Sequence, residues 1–145
     1  MRSDIVDELA GVAASFKCEH LQQTGSFKFR GALNAVMSLD DDAAAKGIVA
    51  HSTGNHGAAV AAAAAARRIP CTVVVPKDTP AAKIVNVQRY GARVVLCEPT
   101  QRARADAVAV ESAKTGAHFV HPFNDPLVIA GQGTIGLEIV EQLAE

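Results

Sequence analysis

Short apolar runs rich in β-branched residues alternate with longer, alanine-rich runs along most of the chain. The short runs predict buried strands of a parallel sheet, and the longer runs predict helices. The predicted strands are residues 16–18, 48–51, 71–75, 93–97 and 118–120, and the predicted helices are residues 26–39, 56–68, 81–90, 100–115 and 127–144. This alternation predicts an α/β fold in which helices cover both faces of a parallel sheet.

Turn residues agree with several of these boundaries. Ser26 is a candidate N-cap, and Gly91 and Gly116 are candidate C-caps. The acidic segment 40–42 is interpreted as a solvated loop before the next strand. The helix at residues 56–68 carries almost no large side chain, so we expect it to pack closely against neighbouring backbone.

The composition is that of one soluble domain: 145 residues, 49% of them hydrophobic and 20% charged, with a formal net charge of -1. The chain is too apolar for a disordered protein, and its balanced charge argues against nucleic acid as a partner. Its acidic start and the lack of a long apolar run argue against a signal peptide and against a membrane span. We therefore expect a cytoplasmic protein with a small-molecule partner.

The three cysteines, Cys18, Cys71 and Cys97, are far apart and form no CxxC pair. Neither a disulfide framework nor a metal site follows from this spacing. We expect buried, reduced thiols and no bound metal.

The loop HSTGNHG, residues 51–57, lies between a predicted strand and the alanine-rich helix. In open α/β sheets ligands bind at the carboxyl ends of strands, where glycines admit close backbone approach and a helix amino terminus offers free N–H groups to an anion. Ser52, Thr53, Asn55 and His56 add hydroxyl, amide and imidazole groups there. A plain helix cap is the alternative interpretation, because polar turn residues are common between a strand and a helix.

The segment GQGTIG, residues 131–136, matches the G-x-G-x-x-G pattern of dinucleotide-binding loops. That fingerprint requires a preceding strand and an acidic residue about twenty positions later, and neither is found here. We interpret these small residues as a helix packing surface instead.

The segment TGSFKFRG, residues 24–31, places Lys28 between two phenylalanines at a predicted helix start. Lysines in such places are usually surface residues. However, Phe27 and Phe29 imply an enclosed neighbourhood, and a cation is unfavourable at the positive end of a helix. Both effects favour the neutral amine, which attack on an aldehyde requires. Lys28 is therefore a candidate Schiff-base lysine.

With these motifs, the chain resembles the pyridoxal-phosphate enzymes of the tryptophan synthase β-like fold, fold type II, in the serine/threonine dehydratase and serine racemase branch. The resemblance covers nearly the whole chain. Its specific blocks are FKCEHLQQTGSFKFRGALNAV, HSTGNHGAAVA and HPFNDPLVIAGQGTIGLEI, and the middle segment VVVPKDTPAAKIVNVQRYGARVVLCEP is similar to the same family.

The resemblance implies roles for residues in two of these blocks. Lys28 would form the Schiff base with pyridoxal 5'-phosphate, Phe27 would lie against its pyridine ring, and Asn55 would bond its phenolic oxygen. Ser52, Thr53 and His56 would border the pocket for the substrate carboxylate. Lysine would take the α-proton of L-threonine or L-serine while the β-hydroxyl leaves, and a keto acid and ammonia would result.

Two positions depart from the family pattern. Thr53 stands where the racemase carries a serine that moves a proton on the face opposite the lysine, and its methyl group stiffens the hydroxyl rotamer. Elimination is therefore favoured over racemisation. Ala58 stands where many relatives carry glutamine, which affects contacts to the substrate.

The resemblance also implies parts that this sequence does not contain: the glycine-rich phosphate loop, the residue facing the pyridine nitrogen and the carboxylates of a metal site. By this mapping, residues 1–46 are an amino-terminal segment of a large domain, residues 47–124 are a small α/β domain, and residues 125–145 return to the large domain. The expectation is an incomplete, amino-terminal half of the fold.

Three hypotheses follow. The first is a truncated ammonia-lyase, with serine racemase-like activity as a variant of it. The second is a noncatalytic remnant or interaction module of the same fold, which leaves open a homo-oligomer or a complementing chain. The third is a nucleotide-binding α/β module, which rests on helix-terminus anion binding alone.

Overall fold

A four-stranded parallel sheet lies at the centre of the protein, whose computed structural model describes residues 1–144. The strands are β1 (Ile48–His51), β2 (Cys71–Pro76), β3 (Arg93–Cys97) and β4 (His118–Phe119). The helices are α1 (Asp4–Ala10), α2 (Lys28–Met37), α3 (Asp41–Lys46), α4 (Asn55–Arg67), α5 (Ala81–Gln88), α6 (Gln101–Thr115) and α7 (Pro126–Ala144).

The strand order across the sheet is β3-β2-β1-β4, and every neighbouring pair is parallel. Helices α4, α5 and α6 each connect two successive strands, as parallel pairing requires. In register, Ile48 of β1 lies opposite Cys71 of β2 on one side and His118 of β4 on the other. The predicted α/β fold is confirmed, and all the carboxyl ends of the strands lie at one edge.

Successive side chains of each strand point to opposite faces of the sheet, and helices cover both faces. On one face, Ile48 and Ala50 belong to a buried core shared with α2 and α4. On the other face, Val49 and Val74 pack against Val108 of α6.

Helix α4 is buried along most of its length, as its alanine-rich sequence predicts. All residues from His56 to Ala64 are buried, and it packs against α2, α5 and the sheet. Because alanine adds little beyond the helix backbone, α4 can lie between several neighbours at once. This placement fixes its amino terminus at the edge of the sheet.

Helices α2 and α7 touch backbone to backbone where two glycines meet. A Cβ atom added at Gly131 would lie 2.6 Å from the Cα of Gly31 and 2.7 Å from the carbonyl oxygen of Arg30. The segment 131–136 lies inside α7, so it does not follow directly on a strand as a dinucleotide-binding loop would. Its interpretation as a packing surface holds for Gly131, whereas Gly133 and Gly136 meet no atom within 4 Å.

Arg30 of α2 joins the amino-terminal segment to α7 through two carboxylates. Its guanidinium donates to Glu19 at 2.8 Å and to Glu138 at 2.6 Å, and Lys17 also pairs with Glu138. These bonds raise the pKa of Arg30 and lower the pKa of Glu138 to about 2. The network holds the segment before α2 against the last helix.

Three local predictions are wrong. Residues 16–18 form no strand in the described chain. The backbone of Phe16 pairs with Met1, with N–O distances of 2.9 and 3.1 Å, and its carbonyl oxygen also accepts from the Cys18 thiol. The acidic segment 40–42 begins helix α3 instead of forming a loop, since the Asp40 carboxylate accepts from the N–H of Ala43 at 2.7 Å. Helix α1, in addition, was not predicted at all.

The third wrong prediction concerns the start of α2. Ser26 is extended, with φ of -164°, and it does not cap the helix, which begins at Lys28 after Phe27. Of the predicted C-caps, Gly116 is confirmed after α6 with φ of 73°. Gly91 has a positive φ of 79° but lies beyond Arg89, which ends α5.

All three cysteines are free thiols; Cys97 is buried, whereas Cys18 and Cys71 are half-buried. Burial raises the pKa of the Cys71 thiol to about 12, so this thiol is unreactive at neutral pH. Within residues 1–144, none of the helices is both long enough and apolar enough to span a bilayer.

Candidate active site

A cavity of about 360 Å³ opens at the carboxyl end of β1, where the chain passes through residues 52–54 into α4. Three elements contribute its wall: the start of α2, the loop with the first turn of α4, and one face of α5. The lining residues are Lys28, Ser52, Thr53, Gly54, Asn55, His56, Lys83 and Asn86. The cavity therefore combines residues that are far apart in the sequence.

Lys28 is the first residue of α2, as predicted, and its side chain is half-buried. Its ammonium donates to the carbonyl oxygen of Pro122 at 2.8 Å and lies 5.3 Å from the centre of the Phe27 ring. Phe29 is buried, but Phe27 is 40% exposed. The enclosed neighbourhood expected on both sides of Lys28 is therefore present only on the side of Phe29.

The loop before α4 leaves the helix amino terminus open to the cavity. Ser52 accepts from the N–H of Gly54 at 3.1 Å, and Gly54 precedes the helix without any side-chain cap. Within residues 1–144, the N–H groups of Asn55 and His56 have no hydrogen-bond acceptor. Because α4 has 13 residues, these free N–H groups carry the positive end of a substantial helix dipole. The simple-cap alternative does not fit this loop, since no side chain caps it.

His56 is buried, with 5% of its surface exposed. Its Nε2 lies 3.1 Å from the carbonyl oxygen of Val120, which can only accept, so Nε2 carries the proton. Burial, and to a smaller extent the charge of Lys28, lower the pKa of His56 to about 4. The imidazole is therefore neutral at pH 7, and its buried Nδ1 is an acceptor with no partner in the described chain.

Burial of a neutral His56 predicts that the protein loses stability in mild acid. The unfolded chain takes up this proton near pH 6.5 and the folded chain only near 4, so unfolding takes up a proton between those values. Stability from this group is complete above about pH 6.5 and is lost as the pH falls toward 4. We expect urea denaturation to show a loss of about 2 kcal/mol between pH 7 and pH 5.

His56→Gln should remove most of that pH dependence, whereas His20→Gln, at an exposed position, should keep it. Equal stability of the native sequence at pH 5 and pH 7 would contradict the neutral, buried imidazole. An imidazole NMR signal of His56 that titrates near pH 6.5 in the folded protein would do so as well.

The cavity brings together five of the six residues predicted for the site: Lys28, Ser52, Thr53, Asn55 and His56. Phe27 lies beside Lys28 but does not line the cavity. Sequence reasoning missed Lys83 and Asn86, which reach the cavity from α5. The sequence did contain a signal for Lys83, which is a lysine in the first turn of a helix. The same feature had made Lys28 a candidate.

The chain's similarity to known proteins spans its whole length. The family profile for "Pyridoxal-phosphate dependent enzyme" matches residues 1–145. The chain is 52% identical over 141 residues to β-hydroxyaspartate dehydratase of Paracoccus denitrificans, covering 97% of this chain and 45% of that protein. It is 48% identical over 145 residues to serine racemase of Arabidopsis thaliana, covering 100% of this chain and 44% of that protein.

Solved structures show the same relation. Maize serine racemase superimposes with a TM-score of 0.98 at 43% identity, covering 100% of this chain and 44% of that one. The processed form of threonine deaminase isoform 2 from Solanum lycopersicum superimposes with a TM-score of 0.91 at 37% identity, covering 98% of this chain and 39% of that one. The chain spans less than half the length of these relatives, and it belongs to the family of pyridoxal-phosphate-dependent enzymes of fold type II.

Proposed function

We propose that this chain supplies the lysine-bearing half of a pyridoxal-phosphate-dependent ammonia-lyase that converts a hydroxy amino acid, L-serine or L-threonine, into a keto acid and ammonia. One observation carries the proposal: the amine of Lys28 lines the same cavity as the open amino terminus of α4. A primary amine beside an anion-binding helix end is the arrangement that an aldehyde cofactor and an amino acid substrate both require.

The residues of the cavity fit pyridoxal phosphate. Lys28 is bonded to the carbonyl of Pro122 and forms no ion pair within residues 1–144, so no carboxylate holds its amine away from an aldehyde. Asn55 lies at the first turn of α4 with its amide near the cavity, in accord with a bond to the phenolic oxygen. Beside the cavity, the partly exposed ring of Phe27 lies next to Lys28 and offers a flat apolar surface for the pyridine ring.

Bound there, the cofactor supplies an electron sink for the negative charge that develops at the substrate α-carbon. The chain's own groups bind and orient the substrate. The free N–H groups of Asn55 and His56, with the hydroxyls of Ser52 and Thr53, are donors for the α-carboxylate. Lys28 takes the α-proton, after which the β-hydroxyl leaves. Because the imidazole of His56 is neutral, it adds no positive charge beside these hydrogen-bond donors.

Racemisation is a second candidate activity, and one residue of the cavity favours it. Thr53 lines the cavity from the loop before α4, whereas Lys28 lines it from α2, and the hydroxyl of Thr53 can hold or deliver a proton. Relatives named serine racemase are 45–48% identical to this chain, which supports the same possibility. We place elimination first because the threonine methyl group restricts the rotamers of that hydroxyl.

The interaction-module alternative is supported by the exposed apolar face of α7. Leu137, Val140 and Leu143 are 67%, 70% and 63% exposed and recur at helical spacing. A face of this kind is usually covered by another part of a fold or by a partner. We propose that residues 1–46 and 125–145 pack against the remainder of a large domain, while residues 47–124 form the small domain.

Reductive trapping tests the proposal. The purified chain is incubated with pyridoxal phosphate, reduced with borohydride and mapped by mass spectrometry, with the label expected on Lys28. Lys46 and Lys77 are exposed lysines outside the cavity and serve as internal references. Equal labelling of these references and Lys28 would contradict a specific site. Ammonia release from L-serine and L-threonine, and D-serine formation from L-serine, then distinguish elimination, racemisation and a labelled but inactive remnant.

A further inference from the structure

Residues 121–124 lie in the loop between β4 and α7, and this loop holds the amine of Lys28. The Lys28 ammonium donates to the carbonyl oxygen of Pro122 at 2.8 Å, across 94 residues of sequence. Within residues 1–144, residues 121–124 form no backbone–backbone hydrogen bond. Loops are more mobile than helices and strands, so another interaction is needed to keep the Pro122 carbonyl in place.

The side chain of His121 provides that interaction. Its Nδ1 lies 2.8 Å from the backbone nitrogen of Asn124 and 3.2 Å from that of Phe123. Both groups are N–H donors, so Nδ1 accepts from them and the proton of the neutral ring is on Nε2. The imidazole therefore closes a turn around Pro122, a residue whose φ is fixed and which has no N–H of its own.

The same hydrogen-bond pattern recurs a few residues later with a carboxylate. Asp125 accepts from the N–H groups of Leu127 at 2.8 Å and Val128 at 3.3 Å, two and three positions further along the chain. His121 bonds to the second and third residues after it in the same way. Short polar side chains commonly order turns by this pattern. An asparagine oxygen can accept the same two bonds, so asparagine is a conservative replacement for the imidazole.

Aromatic packing also holds the ring of His121. Its centroid lies 4.5 Å from that of Phe123, with the two rings perpendicular, and 5.5 Å from that of Phe119 in β4. Edge-to-face contacts at these distances are favourable. Because Phe119 belongs to the sheet, the ring connects the loop to the sheet. Packing alone is therefore the alternative explanation for His121, and the experiment has to separate it from the hydrogen bonds.

We propose that His121 is a positioning residue for the Schiff-base lysine. Its Nδ1 orders residues 121–124, and the ordered carbonyl of Pro122 holds the amine of Lys28 at the cavity. This inference rests on the proposed function of Lys28. His121 does not line the cavity that contains Lys28, so it acts on the amine through Pro122. An amine that is held in place reacts faster with an aldehyde than one that must first be ordered.

Two substitutions separate the hydrogen bonds from the packing. His121→Phe keeps an aromatic ring without an acceptor, whereas His121→Asn keeps an acceptor without the ring. The first readout needs no cofactor, because side-chain NMR relaxation measures the order of the Lys28 ε-methylene group. We expect this group to be ordered in the native protein and in His121→Asn. In His121→Phe it should be as mobile as the same group of the exposed Lys46 and Lys77.

The second readout is the rate at which pyridoxal phosphate, trapped with borohydride, labels Lys28. We expect His121→Phe to lower this rate about fivefold and His121→Asn to keep it within about twofold of the native rate, as the loss and retention of positioning require. His118→Phe is the matched control, since His118 lies at an exposed position of β4, and it should change neither readout. Amide spectra report whether each variant is folded.

Native order and labelling of Lys28 in His121→Phe would overturn the inference. An equal loss in His121→Asn and His121→Phe would also overturn it, because packing would then explain the effect. The native protein provides an independent check that needs no variant: a ¹⁵N shift typical of a protonated nitrogen at Nδ1 of His121 would exclude the turn.

The two proposals fail separately. Label on Lys28 that His121→Phe leaves unchanged refutes only the role of His121. Absence of label from Lys28 in the native protein, together with a Lys28 order that depends on His121, refutes only the Schiff-base site.

Discussion

Lys28→Ala is expected to remove the pyridoxyl group that borohydride fixes to this chain, leaving only the background found on the exposed lysines. The amine of Lys28 is positioned rather than free, because it is half-buried and bonded to the Pro122 carbonyl at 2.8 Å. Groups held in place react far faster than groups that must be ordered first. We therefore expect at least about a tenfold loss of label at low cofactor concentration, measured by intact-mass spectrometry.

Lys83→Ala is the control for this experiment, because Lys83 lines the same cavity and also carries an amine. We expect it to keep the label on Lys28. Transfer of the label to Lys83 in the Lys28→Ala variant would show a cavity that concentrates the aldehyde without selecting one amine. Undiminished total label in Lys28→Ala would refute the assignment of Lys28.

Gly131→Ala is expected to destabilise the fold by about 1–3 kcal/mol, the usual cost of an added methyl group in a packed interior. The new Cβ would meet backbone atoms of the facing helix, 2.6 Å from the Cα of Gly31 and 2.7 Å from the carbonyl oxygen of Arg30. Backbone cannot swing aside as a side chain can, so α2 and α7 must move apart. Urea denaturation measures the change in the free energy of unfolding.

Gly133→Ala and Gly136→Ala, in the same helix, are matched controls. A Cβ at either position meets nothing within 4 Å, and alanine is a better helix former than glycine by roughly 1 kcal/mol. We expect both controls to be neutral or stabilising. If Gly131→Ala were as stable as the controls, the close contact between α2 and α7 would not exist in solution.

The regular part of the fold was predictable because local pattern and tertiary context agree there. The strands 48–51 and 93–97 were predicted with the bounds that β1 and β3 have, since each is a short apolar run enclosed by helices. The segment 16–18 has the same apolar character, but strand formation also needs a neighbouring strand, and sequence pattern does not reveal whether one is present. The prediction of a loop at residues 40–42, where α3 starts, was wrong for a different reason. Aspartates favour loops and helix amino termini alike, so the acidic pattern does not distinguish them.

The candidate site was predictable where one local segment contains it. Ser52, Thr53, Asn55 and His56 lie within five consecutive residues, and a single loop carries them to the cavity. Lys83 and Asn86 come to the same cavity only through the packing of α5 beside α4. The bond of His56 Nε2 to Val120 and the bond from Lys28 to Pro122 likewise join residues that are 64 and 94 positions apart. Such contacts are properties of the folded chain.

The glycine contact between α2 and α7 also sets the order in which the site can form during synthesis. The N–H of Gly31 bonds to Gln132 across 101 residues, so the helix that carries Lys28 leaves the ribosome long before the helix on which it rests. At about 5–20 residues per second, that interval is roughly 5–20 seconds. During this time the sheet and α4 can fold, while α2 still lacks one of its two main neighbours. The amine of Lys28 is thus synthesised well before the helix that holds α2 in place.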